Sequence, residues 1–194
     1  RIFVAHVDKP RRTFLHGQSW GGMVAARAAE LYPRSWEGIL FTSAVVAGPA
    51  TYDFRVDIRA VYQHLCKNHP RADEPQYPLA LGLPAGSTMT NAQLAARVNE
   101  CLALNKPAAE RTPEQRARAK LIADIIRVPE NSILSHLNWG TFTLRDVVAK
   151  NGGVSPFGNA GVRYVGSADD AALNAAVPRF KADPAAVARF AADV

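Results

Sequence analysis

A chain of 194 residues, 48% hydrophobic and 21% charged, is long enough to bury a core of its own. The formal net charge of +6 raises nucleic acid as a partner, but the basic residues are scattered among acids and not interleaved with aromatics, which argues against such an interface. No run is long and apolar enough to span a membrane, and no secretory leader is visible.

Residues 1–11 read as the end of a helix, stopped at Asp8-Lys9-Pro10 because proline cannot continue it. Thr13–Leu15 reads as a short apolar strand, Gly17-Gln18-Ser19-Trp20-Gly21 as a sharp turn, and Met23–Leu31 as a helix. Strand, turn and helix are the context that a G-x-S-x-G nucleophile turn requires. In that arrangement Ser19 is the candidate nucleophile; Gly17 and Gly21, two before and two after it, keep side chains out of the crowded corner, and Gln18 flanks the serine in the elbow. The backbone N–H of Trp20 is placed to hold a developing oxyanion, at the positive end of the following helix. The blander alternative is a Gly-rich turn that binds an anion or packs tightly.

Ala25, Ala26, Ala28 and Ala29 predict a helix that approaches its neighbours closely and stops at Pro33. Ile39–Thr42 has the continuous apolar run of a buried strand. Ala47-Gly48-Pro49 marks a boundary, which divides the chain into 1–49 and 50–194.

From about Ala50 helical signals take over. Arg55–His69 carries apolar residues at helical spacing, with a stop at Pro70. Arg71–Ser87 is a loop rich in Pro and Gly, of a length often given to binding. Thr90-Asn91-Ala92-Gln93 and Thr112-Pro113-Glu114-Gln115 are capping boxes, predicting helices to about Leu104 and Arg127. Asn131–Lys150 predicts a helix interrupted near Gly140. A Gly-rich loop follows at Asn151–Gly161, and short helices are expected at Ala171–Ala176 and after Asp183-Pro184.

Cys66 and Cys101 fit either one disulfide, pointing to a periplasmic or secreted protein, or two separate thiols, compatible with the cytoplasm. Their spacing, without clustered histidines, is not that of a metal site, and no cofactor is implied. A serine nucleophile needs a base. Of the five histidines, His16 at the strand end reads as structural or site-lining, and His136 as a core or surface residue. Asp53 and Asp57 are minority candidates for a catalytic acid; solvated acids at a helix start are the stronger reading. Tyr62, Tyr77 and Trp139, with Phe54 and Phe142, are the aromatic candidates for lining a substrate pocket.

The segment Arg12–Gly48 resembles the α/β-hydrolase family. Phe14 to Gly22 is similar to the family's fifth strand and elbow, Met23–Tyr32 to the helix after it, and Gly38–Ser43 to the sixth strand. The large helical block after it is placed like the lid of capped members. The resemblance implies an α/β fold class: a partial α/β-hydrolase core of two strands with the elbow helix, then a mostly α-helical lid. It implies a serine hydrolase that cleaves a carboxylic ester through an acyl-enzyme on Ser19. Gly17-Gln18-Ser19-Trp20-Gly21 is also similar to the elbow of proline-releasing aminopeptidases, so a short peptide is the second substrate class. A non-catalytic, hydrolase-like binding module is the alternative from another class. The family's early strands, catalytic histidine and acid have no counterpart here. The chain is therefore expected to be a fragment, completed by missing segments or by a second polypeptide.

Overall fold

The computed structural model describes residues 6, 10–46 and 50–193, and the chain divides into two compact units, Arg1–Thr51 and Tyr52–Val194. The expected helix end at residues 1–9, apart from His6, and the boundary Ala47-Gly48-Pro49 lie outside the described residues.

The first unit contains β1 (Phe14–Gln18), α1 (Trp20–Leu31) and β2 (Gly38–Thr42). The strands are parallel, with Phe14 opposite Gly38 and Gln18 opposite Thr42. Parallel neighbours need a crossover, and α1 supplies it. β1 runs past the apolar triplet because pairing with β2 continues through Gly17 and Gln18. α1 starts at Trp20 rather than Met23 because Ser19 itself turns the chain. At the other end the Tyr32 N–H closes on Ala28 O at 2.9 Å, and Pro33 cannot extend the helix. Glu37 ties β2 back to β1: its N–H donates to Thr13 O at 2.8 Å, and its carboxylate accepts from Thr13 N–H. Phe14 and Leu40 on this small sheet are 63% and 60% exposed.

The second unit is built from helices α2 (Ala50–Cys66), α3 (Asn91–Leu102), α4 (Pro113–Ile126), α5 (Ile133–Asn138), α6 (Leu144–Lys150), α7 (Asp170–Ala176) and α8 (Pro184–Asp193). Ile58, Val61 and Tyr62 of α2 are fully buried against Leu94, Val98 and Leu102 of α3, with Ile122 and Leu137 completing the core. Both capping boxes close reciprocally, Thr90 with Gln93 and Thr112 with Gln115. α2 ends at Cys66, short of the expected stop at Pro70, because Lys67 turns left-handed at φ 52°. Cys66 and Cys101 form a disulfide, with Cα atoms 5.8 Å apart, joining the ends of α2 and α3. The interruption near Gly140 is a π turn, Trp139–Thr143, between α5 and α6. A side chain at Gly140 would collide with the carbonyl of Arg55, its Cβ falling 2.8 Å from that oxygen.

The stretch from Phe157 to Phe190 folds back on α2. Asp53 Oδ1 accepts from Gly158 N–H at 3.2 Å, and Asp57 Oδ1 accepts from the Tyr164 hydroxyl at 2.7 Å. Phe157 stacks on Tyr52 with ring centroids 5.3 Å apart, and Phe190 of α8 meets both rings edge-on.

These facts correct the expected fold class. The α/β expectation, a partial α/β-hydrolase core carrying two of the family's strands and a lid, gives way to a mainly α chain, 54% helical with a minimal two-stranded sheet. The cause is strand supply. Only Phe14–Gln18 and Gly38–Thr42 pair their backbones among the described residues, and the apolar runs after Tyr52 recur at helical spacing between helix caps.

Candidate functional site

Ser19 stands between the last residue of β1 and the first of α1, at φ 52° and ψ −123°. A residue with a Cβ is rarely held there, and the surroundings must over-determine it. Three backbone hydrogen bonds do so. Ser19 N–H donates to Thr42 O at 3.1 Å, while Ser19 O accepts from Gly22 N–H at 3.0 Å and Val45 N–H at 3.2 Å. The serine side chain is left exposed.

The space around this turn assigns the glycines different jobs. A Cβ on Gly17 would fall 2.7 Å from Ala25 Cβ and collide with the carbonyl of Gly21. A Cβ on Gly22 would collide with Ala44. A Cβ on Gly21 would meet nothing within 4 Å. Close approach of strand and helix therefore depends on Gly17 and Gly22, and the motif's second glycine is not the crowded one. Trp20 opens α1, where helix N–H groups have no partner within the helix, and the residue is 52% exposed. Gln18 is exposed at the end of β1.

His16 lies on β1 with Nε2 2.9 Å from Thr42 Oγ1, so its ring is engaged across the strand pair. His136 meets Phe54 edge-on at 5.1 Å, and burial lowers its pKa. Asp53 and Asp57 are committed to the return segment, and burial raises both carboxyls, Asp57 to about 6.

The aromatic candidates fall in different settings. Tyr62 is wholly buried, its hydroxyl donating to Asn68 Oδ1 at 2.7 Å; helical spacing put it on the core face. Trp139 is half exposed, and the guanidinium of Arg55 sits 4.8 Å from its ring and 4.1 Å from that of Tyr52. Phe142 carries Arg145 at 5.7 Å. Tyr77 lines a cleft of about 720 Å³ formed by the Pro- and Gly-rich loop and α3.

Behind that cleft lies a group the sequence pattern did not single out. Arg59 is completely buried; it donates from Nη1 to Gly82 O at 2.9 Å and Thr141 Oγ1 at 2.6 Å, and from Nη2 to the Tyr77 hydroxyl at 3.2 Å. Its Nε has no partner, and burial lowers its pKa. His69 lines the cleft, with Nε2 3.3 Å from Thr141 Oγ1 and Nδ1 unpartnered. Burial, with Arg59 and Arg97 nearby, pushes its pKa down to about 2, so the ring is neutral. The one signal in the sequence was an arginine on the apolar face of α2. On the rim Arg97 pairs with Glu74, and Arg71 with Glu100.

Among the described residues no cluster of three or more His, Cys, Asp or Glu could hold a metal, and no helix is long and apolar enough to cross a membrane. Comparison of the chain with protein-family models, with curated proteins and with solved structures finds no match.

Proposed function

We propose that the chain carries the nucleophile of a serine hydrolase related to the α/β-hydrolase family. Ser19 attacks an ester carbonyl, an acyl-enzyme forms with loss of the alcohol, and water releases the acid. The observation that supports this best is the strained, exposed Ser19 at a strand-to-helix junction crowded enough to need Gly17 and Gly22. The N–H of Trp20 at the start of α1 is the candidate oxyanion donor. His16 is taken up by Thr42, so the base and the acid are assigned to residues beyond those described around Ser19, in further segments or a second polypeptide. An aryl or apolar ester is the first substrate class and a short peptide with a free amino end the second. The Cys66–Cys101 disulfide supports a periplasmic or secreted location.

Labelling of the complete gene product with diisopropyl fluorophosphate, followed by peptide mass spectrometry, tests the reading. A single adduct on Ser19, absent in Ser19→Ala, is the expected result; an unlabelled Ser19 in folded protein overturns it. Paired assays on p-nitrophenyl esters and aminoacyl-naphthylamides then separate esterase from peptidase.

A further inference from the structure

Three hydrogen-bond partners surround Arg59, and all are neutral oxygens: a backbone carbonyl, a threonine hydroxyl and a tyrosine hydroxyl. No carboxylate among the described residues pairs with it. A fully buried guanidinium without a counter-charge is costly, and an anion close by offsets that cost. Two of the three partners lead towards the cleft. Tyr77 lines it directly, and Thr141 connects to His69, which also lines it.

The rim does not compete for the sign of the field. Its four charged groups, Arg71, Glu74, Arg97 and Glu100, form two Arg–Glu pairs and balance. Behind the cleft, Arg59 adds a positive charge that no carboxylate among the described residues balances. Tyr77 accepts from that guanidinium, so its own hydroxyl proton is free to donate. Leu83, Pro84 and Met89 give the neighbouring wall an apolar character. The volume of about 720 Å³ is that of a small-molecule site.

We propose that this cleft binds a monocarboxylate with an apolar body: the carboxylate accepts the Tyr77 hydroxyl with Arg59 behind it, and the body lies on Leu83, Pro84 and Met89. The same chemistry is offered by a free aryl acid and by the C-terminus of a short peptide. The inference does not depend on Ser19 being a nucleophile.

Isothermal titration calorimetry of the complete gene product tests it, with 3-phenylpropionate and N-acetyl-Ala-Phe as probes and the amide of each as its control. At least one acid is expected to bind with a Kd below about 1 mM and its amide roughly tenfold more weakly; the tighter acid identifies the source. Tyr77→Phe, with an unchanged circular dichroism spectrum, is expected to weaken the acid about fivefold. Equal affinity of acid and amide, no saturation by either acid up to about 10 mM, or unaltered binding by Tyr77→Phe overturns the proposal. The acid-to-amide ratio in the unsubstituted protein stands even if Tyr77→Phe fails to fold.

Discussion

The amide of Ser19 donates to the carbonyl of Thr42 at 3.1 Å, so the turn bearing the candidate nucleophile is held by the strand next door. Its geometry is therefore a property of the β1–β2 pair and of how closely α1 approaches it. Gly17→Ala is expected to disrupt the turn, because the added methyl meets the backbone of Gly21 and the side chain of Ala25. A loss of about 2–3 kcal/mol is expected. Gly21→Ala, with open space around it, should cost less than about 1 kcal/mol. Chemical denaturation of the two variants measures the contrast; equal losses would refute the assignment of close approach to Gly17.

Ser19 stores backbone strain that a residue without a Cβ does not feel. Ser19→Gly is expected to stabilise the protein by about 1 kcal/mol relative to Ser19→Ala, while both lose labelling by fluorophosphonate. Thermal melts of the two variants decide it. Ala equal to or above Gly would mean that the conformation at position 19 is unstrained.

The disulfide closes a loop spanning 35 positions, from the end of α2 to the end of α3. Chain-entropy arguments for a loop of that length give about 3–4 kcal/mol. The double variant Cys66→Ser, Cys101→Ser should lose about that much unfolding free energy in denaturant titrations, with a lower midpoint, and added reductant should bring the unsubstituted protein to the same midpoint. Insensitivity to reductant would show that the crosslink contributes nothing.

Two groups, Asp57 and His69, make stability depend on pH in opposite directions. Asp57 has its carboxyl raised from 3.8 to about 6, mainly by burial. The stability tied to its protonated form is present below pH 3.8 and lost as pH rises through about 6. With Asp57 still partly open to solvent, the change is about 1 kcal/mol. His69 is lowered from 6.5, again mainly by burial, so the stability of its neutral form is present above pH 6.5 and lost as the pH falls. Asp57→Asn should flatten the curve between pH 4 and 7 and His69→Asn the curve below pH 6.5, the latter by about 1–2 kcal/mol over the first 1.5 units. Urea titrations across that range test both slopes.

Local signals were the legible ones. Thr90 and Gln93, or Thr112 and Gln115, are three positions apart, and their reciprocal bonds need no tertiary context. The strand-serine-helix turn was readable for the same reason. Arg59 was not. Its partners lie 18 to 82 positions away, and a pattern that marks the inward face of α2 does not say which oxygens wait there. Nor does spacing give the separation of two cysteine Cα atoms. Two strands and a turn suggest the sheet of a family, whereas among the described residues only the pair Phe14–Gln18 and Gly38–Thr42 builds one.

Tyr164 reaches Asp57 across 107 positions, and Gly158 reaches Asp53 across 105. On the ribosome α2 therefore emerges long before the segment that satisfies it. At synthesis rates of about 5–20 residues per second, that interval is on the order of 5–20 s. Throughout it, Asp53 and Asp57 of that helix lack their partners, Gly158 and Tyr164. Cotranslational folding of this protein is thus a matter of protecting one helix until its closing strap has been made.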